Sequence, residues 1–256
     1  MIGIVNNYDK RMGILANLLN CKLANSNNDL YDLDTIILPI TKINNEYVEN
    51  TNISLNEIID KCYNLKQIFY YDMLDEYKQK FLKKGINLIS YNDDDFIIAN
   101  SKITIYGFLK YLLNNEEELL NKSFLVLGYG NLGKRLSLAL KGLGLNYQIY
   151  APKNYKELCM NEEKIVNYNN KYDIIINTIP FHIIEEADYD KIKKCHIYDL
   201  ASYPYGFDNE KLQVINLLKI PGKYYPNDAA YSIYCSLKKA LLWFNIYENF
   251  LIIENK

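Results

Sequence analysis

A glycine-rich segment has the residue types and spacing that most directly indicate chemistry. It reads Gly128-Tyr129-Gly130-Asn131-Leu132-Gly133 and stands between an apolar run at 124–127 and an amphipathic run at 132–143. In a G-x-G-x-x-G turn between a strand and a helix, the first glycine makes the turn, the second admits a pyrophosphate and the third allows close helix packing. The N–H groups that open the helix bind phosphate. The segment therefore predicts a dinucleotide-binding turn.

The same residues nearly match the phosphate loop of nucleoside triphosphatases. Gly128 and Gly133-Lys134 have the required spacing, but Arg135 stands where that loop needs Ser or Thr to hold Mg²⁺. The strand predicted at 173–177 ends in Asn177 and supplies no carboxylate for a metal. A dinucleotide site without metal is the better interpretation.

The end of the second predicted strand of this series, 147–150, bears on the choice of dinucleotide. NAD-binding proteins place Asp or Glu there to hold the ribose 2′-hydroxyl. This chain instead continues Ala151-Pro152-Lys153-Asn154, and Lys153 and Asn154 suit a 2′-phosphate. We expect NADP, with NAD as the open alternative.

The nicotinamide ring is expected beside the residues that follow the next two strands, because ligands of such sheets lie at the carboxyl ends of the strands. Those residues are Thr178, Ile179 and Pro180 after strand 173–177, and Ala201 and Ser202 after strand 197–200. Their small or apolar side chains and hydroxyls suit a ring carrying an amide.

The elements that would position these residues alternate between short apolar runs and longer amphipathic runs, which is typical of βαβ units with parallel sheets. The predicted class is α/β with two domains linked by long helices. A smaller N-terminal α/β domain of flavodoxin-like type spans 1–102 and is completed by a C-terminal helix, 229–256. A connecting helix at 103–122 leads to a Rossmann domain, a doubly wound parallel sheet, at 123–228.

Composition excludes several classes of function. With 29 Lys and Arg against 31 Asp and Glu, the net charge of −2 gives no positive field for nucleic acid. Five widely spaced cysteines predict neither a zinc site nor a disulfide framework. The apolar N-terminal stretch ends at Asn6, and the C-terminal one at 241–253 is short and contains Glu248, so we expect a cytoplasmic protein that does not bind membranes.

Several further motifs resemble the A subunit of dipicolinate synthase over nearly the whole chain. In the C-terminal half these are Asn177-Thr178-Ile179-Pro180, Asp199-Leu200-Ala201-Ser202 with Pro204, Gly206 and Asp208, and Pro221-Gly222 with Pro226 and Ala229. In the N-terminal half they are Asp9-Lys10-Arg11, Ile36-Ile37-Leu38-Pro39, and Asp95-Phe96 followed by Asn100, Thr104 and Gly107.

The resemblance implies an NADP-dependent oxidoreductase that converts a dihydrodipicolinate-type product of the lysine pathway to dipicolinic acid during sporulation. It also implies a second protein as partner, similar to the B subunit of dipicolinate synthase. The chain departs from the family at Ile103 and Tyr106, where Pro and Glu are usual, and at Asn227 and Asp228, where Lys and Thr are usual.

A planar dicarboxylate substrate needs cationic or hydrogen-bonding partners. We expect Arg11 or Lys102 to hold a carboxylate, and Thr104, Ser202 and Asn100 to line the site with the loop 221–228, in a cleft between the domains. Because loss of hydride from a dihydropyridine is driven by aromatisation, positioning should do most of the catalytic work. His182 lies in a loop after Pro180 near the expected cleft, where it could carry a proton, although a loop histidine without a catalytic role is the preferred interpretation. His196, at the start of a predicted strand, is expected to be structural.

Two other interpretations remain open from the residues alone. One is a dehydrogenase of another small hydroxy acid, which would need a dedicated acid/base pair that the sequence does not reveal. The other is a non-catalytic protein that binds a nucleotide or a partner. A homo-oligomer is compatible with all three interpretations.

Overall fold

The structure is a computed structural model that describes residues 1–43, 45–151, 171–182, 184, 186–202, 206–207 and 210–254. The chain divides into two compact units. Unit 1 consists of Met1–Asn100 with Tyr224–Lys256, and unit 2 consists of Ser101–Lys223.

Unit 1 contains a five-stranded sheet whose neighbouring strands are all parallel. Its elements in chain order are β1 (Ile2–Val5), α1 (Lys10–Leu19), β2 (Lys22–Ala24), β3 (Thr35–Ile37), β4 (Lys42–Ile43), α2 (Leu55–Lys61), β5 (Gln67–Tyr70), β6 (Asp72–Met73), α3 (Asp75–Lys83) and β7 (Asn87–Ser90). The strand order is β2-β1-β3-β5-β7, and β4 and β6 form a separate two-stranded pair. The five main strands thus have the 2-1-3-4-5 order of doubly wound folds.

Both faces of the unit 1 sheet are covered by apolar side chains, as a parallel sheet requires. One face packs in a cluster that includes Ile36, Ile68 and Phe81 of α3. The other face packs against α1 and the C-terminal helix. This helix is long, Pro226–Glu254, and its residues Ile233 and Leu237 are fully buried beside α1.

The long helix α4 (Asp94–Asn115) begins and ends earlier than the predicted connecting helix at 103–122. The Asp93 side chain accepts a hydrogen bond from the Phe96 amide at 2.7 Å, which caps a helix starting at Asp94. At the other end Glu118 has a positive φ of 51°, which breaks the helical path. Residues 119–121 form only a short 3-10 turn.

Unit 2 contains a second five-stranded parallel sheet in the described part of the chain. Its elements are β8 (Ser123–Leu127), α5 (Asn131–Gly142), β9 (Asn146–Tyr150), β10 (Ile174–Asn177), β11 (His196–Asp199), β12 (Val214–Asn216) and the short helix α6 (Ile220–Tyr224). In the order β12-β11-β10-β8-β9, β9 is added on one side of β8 and the later strands are added on the other, so the strand order reverses between β8 and β10. A ligand crevice of doubly wound sheets lies at such a reversal. The strand predicted at 164–166 lies outside the described residues.

Candidate active site

The glycine turn joins β8 to α5 at the carboxyl edge of the unit 2 sheet. Gly128 has φ +105°, a conformation that glycine adopts without strain, and its amide donates to the Tyr150 carbonyl at 2.7 Å. A Cβ at Gly133 would lie 2.1 Å from the Gly128 carbonyl oxygen, so only glycine lets α5 start this close to the strand. The first and third glycines therefore perform the mechanical tasks that the motif predicts.

Gly130 is different, and it supplies the test of whether a dinucleotide fits. A Cβ added there meets no heavy atom of the described residues within 4 Å. The described part of the chain therefore gives no steric reason for glycine at this position. The open space beside Gly130 lets a ligand approach the backbone. It lies at the start of α5, where the N–H groups of 131–133 lack carbonyl partners within the helix. These residues fit a pyrophosphate.

Thr178 and Ile179 support this turn from behind. The Thr178 hydroxyl donates to the Leu127 carbonyl at 2.8 Å, and its oxygen would lie 2.3 Å from a Cβ at Gly128. Ile179 is buried with its side chain against the same glycine. Their predicted contact with the cofactor stays a prediction, and the structure shows both side chains packed against the turn. Pro180 follows them at the surface.

A buried polar pair, whose contact the sequence did not reveal, organises the loops after β10 and β11. Asn177 and Asp199 are register partners on these neighbouring strands and both are 0% exposed. The Asn177 amide nitrogen donates to Asp199 Oδ1 and to the Ile179 carbonyl, each at 2.9 Å. The Asp199 carboxylate also accepts from the Ala201 amide at 2.8 Å. The pair thus fixes the strand ends where the ring is expected.

The remaining residues predicted around the cofactor are Tyr129, Asn131, Leu132, Ala201, Ser202, Lys153 and Asn154. Tyr129 carries the Lys134 ammonium over its ring, 5.6 Å from the ring centroid. Asn131 and Leu132 form the first turn of α5, Ala201 is buried, and Ser202 is exposed. Lys153 and Asn154 lie outside the described residues, so the choice of NADP stays a prediction.

Arg11, predicted to hold a carboxylate, is buried at the carboxyl edge of the unit 1 sheet. Its guanidinium forms a bidentate ion pair with the Asp9 carboxylate, with Nε 2.9 Å from Oδ1 and Nη2 2.5 Å from Oδ2. Asp9 also caps α1 by accepting from the Arg11 amide at 3.0 Å. Nearby, burial raises the pKa of Tyr71, the Asp72 carboxylate raises it further and the Arg11 charge acts against both. The pair fixes Arg11 at a strand edge where α/β sheets bind ligands.

The candidates on α4 do not all share one face of the helix. Asn100 and Thr104 are four residues apart and therefore lie about 40° apart around the axis, on one side. Lys102 lies about 160° from each of them, and it is exposed whereas Thr104 is buried. Of the departures from the family pattern, Ile103 is buried, while Tyr106, Asn227 and Asp228 are exposed. The interdomain cleft, its lining and the substrate roles of these residues stay predictions.

A second polar cluster lies at the amino edge of the unit 2 sheet, away from the glycine turn. The buried Glu116 carboxylate accepts hydrogen bonds from Lys122 at 2.5 Å and from the Tyr198 hydroxyl, and lies 2.6 Å from His196 Nδ1. Burial alone would raise the pKa of Glu116, but these hydrogen bonds outweigh it and lower the pKa. His196 thus joins a structural cluster, and His182 lies exposed in a loop after β10.

Other site types are absent from the described part of the chain. No group of three or more His, Cys, Asp or Glu residues there is placed to hold a metal ion. Its cysteines Cys21, Cys62, Cys195 and Cys235 are free thiols. None of its helices is both long enough and apolar enough to span a membrane.

The chain has two units, each built on a five-stranded parallel sheet, and one of them has a glycine turn that fits a pyrophosphate. These features define a class of protein fold. The chain has the fold of the two-domain Rossmann proteins related to D-2-hydroxyacid dehydrogenases. A D-isomer-specific 2-hydroxyacid dehydrogenase from Lactobacillus delbrueckii ssp. bulgaricus, solved in its NAD-complexed form, matches with a TM-score of 0.55 and 11% identity over 95% of this chain and 97% of that chain.

Within this class, the A subunit of dipicolinate synthase has a more similar structure. The protein from Bacillus subtilis matches with a TM-score of 0.74 and 19% identity, over 96% of this chain and 97% of that one. Its counterpart from Bacillus halodurans matches with a TM-score of 0.74 and 18% identity, over 94% and 97%. No protein-family model matches the chain, and neither does any curated protein sequence. At these identities the likeness shows a shared fold.

Proposed function

We propose that the protein is an NADP-linked dehydrogenase that oxidises a dihydrodipicolinate-type dicarboxylate to dipicolinic acid. The observation that carries the proposal is the match to the A subunit of dipicolinate synthase over almost the full length of both chains, with a TM-score of 0.74 against 0.55 for the hydroxyacid dehydrogenase. The proposal includes a partner similar to the B subunit of that enzyme, and a role in sporulation on a branch of the lysine pathway.

The glycine turn supports the cofactor half of the proposal. Gly128 and Gly133 are required by the protein's own packing, whereas Gly130 leaves open space beside the start of α5. The backbone N–H groups of 131–133 would hold the pyrophosphate, and Lys153 would meet the 2′-phosphate. NADP⁺ bound there would supply the hydride acceptor.

The reaction removes a hydride and a proton from the dihydropyridine, and the products are the aromatic pyridine, NADPH and a proton. The residues of this chain would orient the substrate rather than supply a strong acid or base. Arg11, whose Nε and Nη2 groups are bonded to Asp9, would bind one carboxylate through its remaining N–H groups. Ser202 and Thr104 would donate hydrogen bonds to the substrate, and Asn177 and Asp199 would keep the loops around the ring in place. Holding the substrate and the cofactor in this way lowers the activation free energy of hydride transfer by several kcal/mol.

A turnover assay tests this proposal. The protein is mixed with NADP⁺ and a freshly prepared dihydropyridine dicarboxylate, and NADPH and dipicolinate are quantified, with and without a partner similar to the B subunit. We expect the two products in equal amounts, and their loss in the Gly130→Val variant. Oxidation of D-lactate but not of the dihydropyridine would overturn the substrate assignment. Nucleotide binding with neither oxidation would favour a non-catalytic protein.

A further inference from the structure

Asp199 is a buried carboxylate that ends β11. It is 0% exposed. Its Oδ1 accepts hydrogen bonds from the side-chain amide of Asn177 at 2.9 Å and from the backbone N–H of Ala201 at 2.8 Å. Its Oδ2 accepts one from the backbone N–H of Gly206 at 2.8 Å. Every described partner of the side chain is therefore an N–H donor.

This pattern of partners indicates an ionised carboxylate. Both oxygens accept hydrogen bonds, as an ionised carboxyl group does, whereas a protonated one would have to donate from one of them. Within the described ranges, no Lys, Arg or His side chain forms an ion pair with Asp199. A negative charge held by neutral donors in a buried site acts over a longer range than one in water.

The charge lies at the part of the sheet where the nicotinamide ring is expected. Asp199 pairs in register with Asn177 at the carboxyl ends of β11 and β10. Its hydrogen bonds to the Ala201 and Gly206 amides shape the loop that begins at Leu200. The residues after these two strands are those expected to flank the ring, since the crevice opens at the carboxyl edge.

We propose that Asp199 makes the site prefer the oxidised form of the cofactor, and this proposal rests on the dehydrogenase function proposed above. The oxidised ring carries one positive charge and the reduced ring none, while the phosphates are common to both forms. A fixed negative charge beside the ring therefore stabilises bound NADP⁺ relative to NADPH.

The preference for NADP⁺ has a benefit and a cost for a dehydrogenase that works in the direction of substrate oxidation. The site loads NADP⁺ and releases NADPH in the presence of both. The same preference makes hydride transfer to the bound ring less favourable, and the aromatisation of the substrate offsets this cost. Asp199 is thus a residue that sets cofactor redox preference, and it need not contact the substrate.

Titration of the purified protein with NADP⁺ and with NADPH, in separate calorimetric experiments without substrate, tests this assignment. We expect the wild-type protein to bind NADP⁺ more tightly. In Asp199→Asn, of nearly equal size but without the charge, the Kd for NADP⁺ should rise about tenfold more than the Kd for NADPH. A tenfold difference corresponds to about 1.4 kcal/mol, which is the order of magnitude expected for one buried unit charge acting on the ring.

Two control variants separate charge from packing. A Cβ at Gly206 would lie 2.1 Å from the Asn177 amide nitrogen, so Gly206→Ala disturbs the same network and keeps the charge. Asp199→Glu keeps the charge and changes the packing. Both should change the affinities for the two forms by the same factor. If Asp199→Asn does not fold, the wild-type preference decides the question, because tighter binding of NADPH than of NADP⁺ would still overturn the proposal.

The outcomes distinguish this inference from the proposed function. Tighter binding of NADPH than of NADP⁺ by the wild-type protein, or equal weakening of both forms in Asp199→Asn, would overturn the role of Asp199 and leave the dehydrogenase proposal intact. A wild-type protein that binds neither nucleotide would overturn both.

Discussion

Replacing Gly130 by valine should separate nucleotide binding from folding. Gly130 precedes α5 with φ −78° and ψ −158°, a conformation open to any L residue, and among the residues that the structure describes a Cβ there meets no heavy atom within 4 Å. The free energy of unfolding should therefore change by about 1 kcal/mol or less. The added side chain fills the space through which a pyrophosphate reaches the backbone. Loss of two charge-assisted hydrogen bonds, each worth about 1.5–3 kcal/mol, weakens binding at least about 100-fold.

The assay is calorimetric titration with NADP⁺, paired with urea unfolding of the same sample. Gly133→Ala is the matched control, because its Cβ would lie 2.1 Å from the Gly128 carbonyl oxygen. That variant should lose about 1–3 kcal/mol of stability from overpacking. NADP⁺ affinity in Gly130→Val equal to that of the wild-type protein, with the fold intact, would refute the assignment of the turn.

Three further substitutions have expected outcomes. Lys153→Glu should erase or reverse a preference for NADP over NAD, as measured by the ratio of the two Kd values, and equal affinities in the wild-type protein would contradict the assignment of Lys153. Ser202→Ala should lower kcat with little change in NADP⁺ affinity, and unchanged kcat would remove Ser202 from the site. Because hydrogen bonds lower the pKa of Glu116 below its ordinary 4.5, its contribution to stability is present above about pH 4.5 and is lost as the pH falls through the lowered value. Glu116→Gln should therefore reduce the loss of unfolding free energy as the pH falls below about 4.5, and an unchanged pH dependence there would contradict this role.

Much of the fold follows from local patterns in the sequence. Strands such as β8 and β10 consist mainly of consecutive apolar residues, and their burial on both faces agrees with this pattern. The cap of α2 is also a local signal, because Ser54 precedes Glu57 by three residues as in a capping box, and in the structure the Ser54 hydroxyl accepts from the Glu57 amide at 3.2 Å. The start of α4 was not, because Asp93 adds a cap to residues whose apolar spacing alone favours a later start.

The candidate site was predictable where the chemistry is local to one segment. The tasks of Gly128 and Gly133 follow from the motif, and the structure confirms them. The pairing of Asn177 with Asp199 could not be predicted from spacing, because it depends on the register between two strands. The sequence does carry one indication of this pair: each of the two polar residues directly follows a short run of strand-forming residues and so ends a buried strand.

A crystal structure of the protein with NADP⁺ and dipicolinate would locate both ligands. We expect the pyrophosphate over residues 128–133 at the start of α5, with the nicotinamide beside Thr178 and Ala201 and the dicarboxylate next to the ring. A nucleotide bound at another edge of either sheet, or dipicolinate lodged away from the ring, would contradict it.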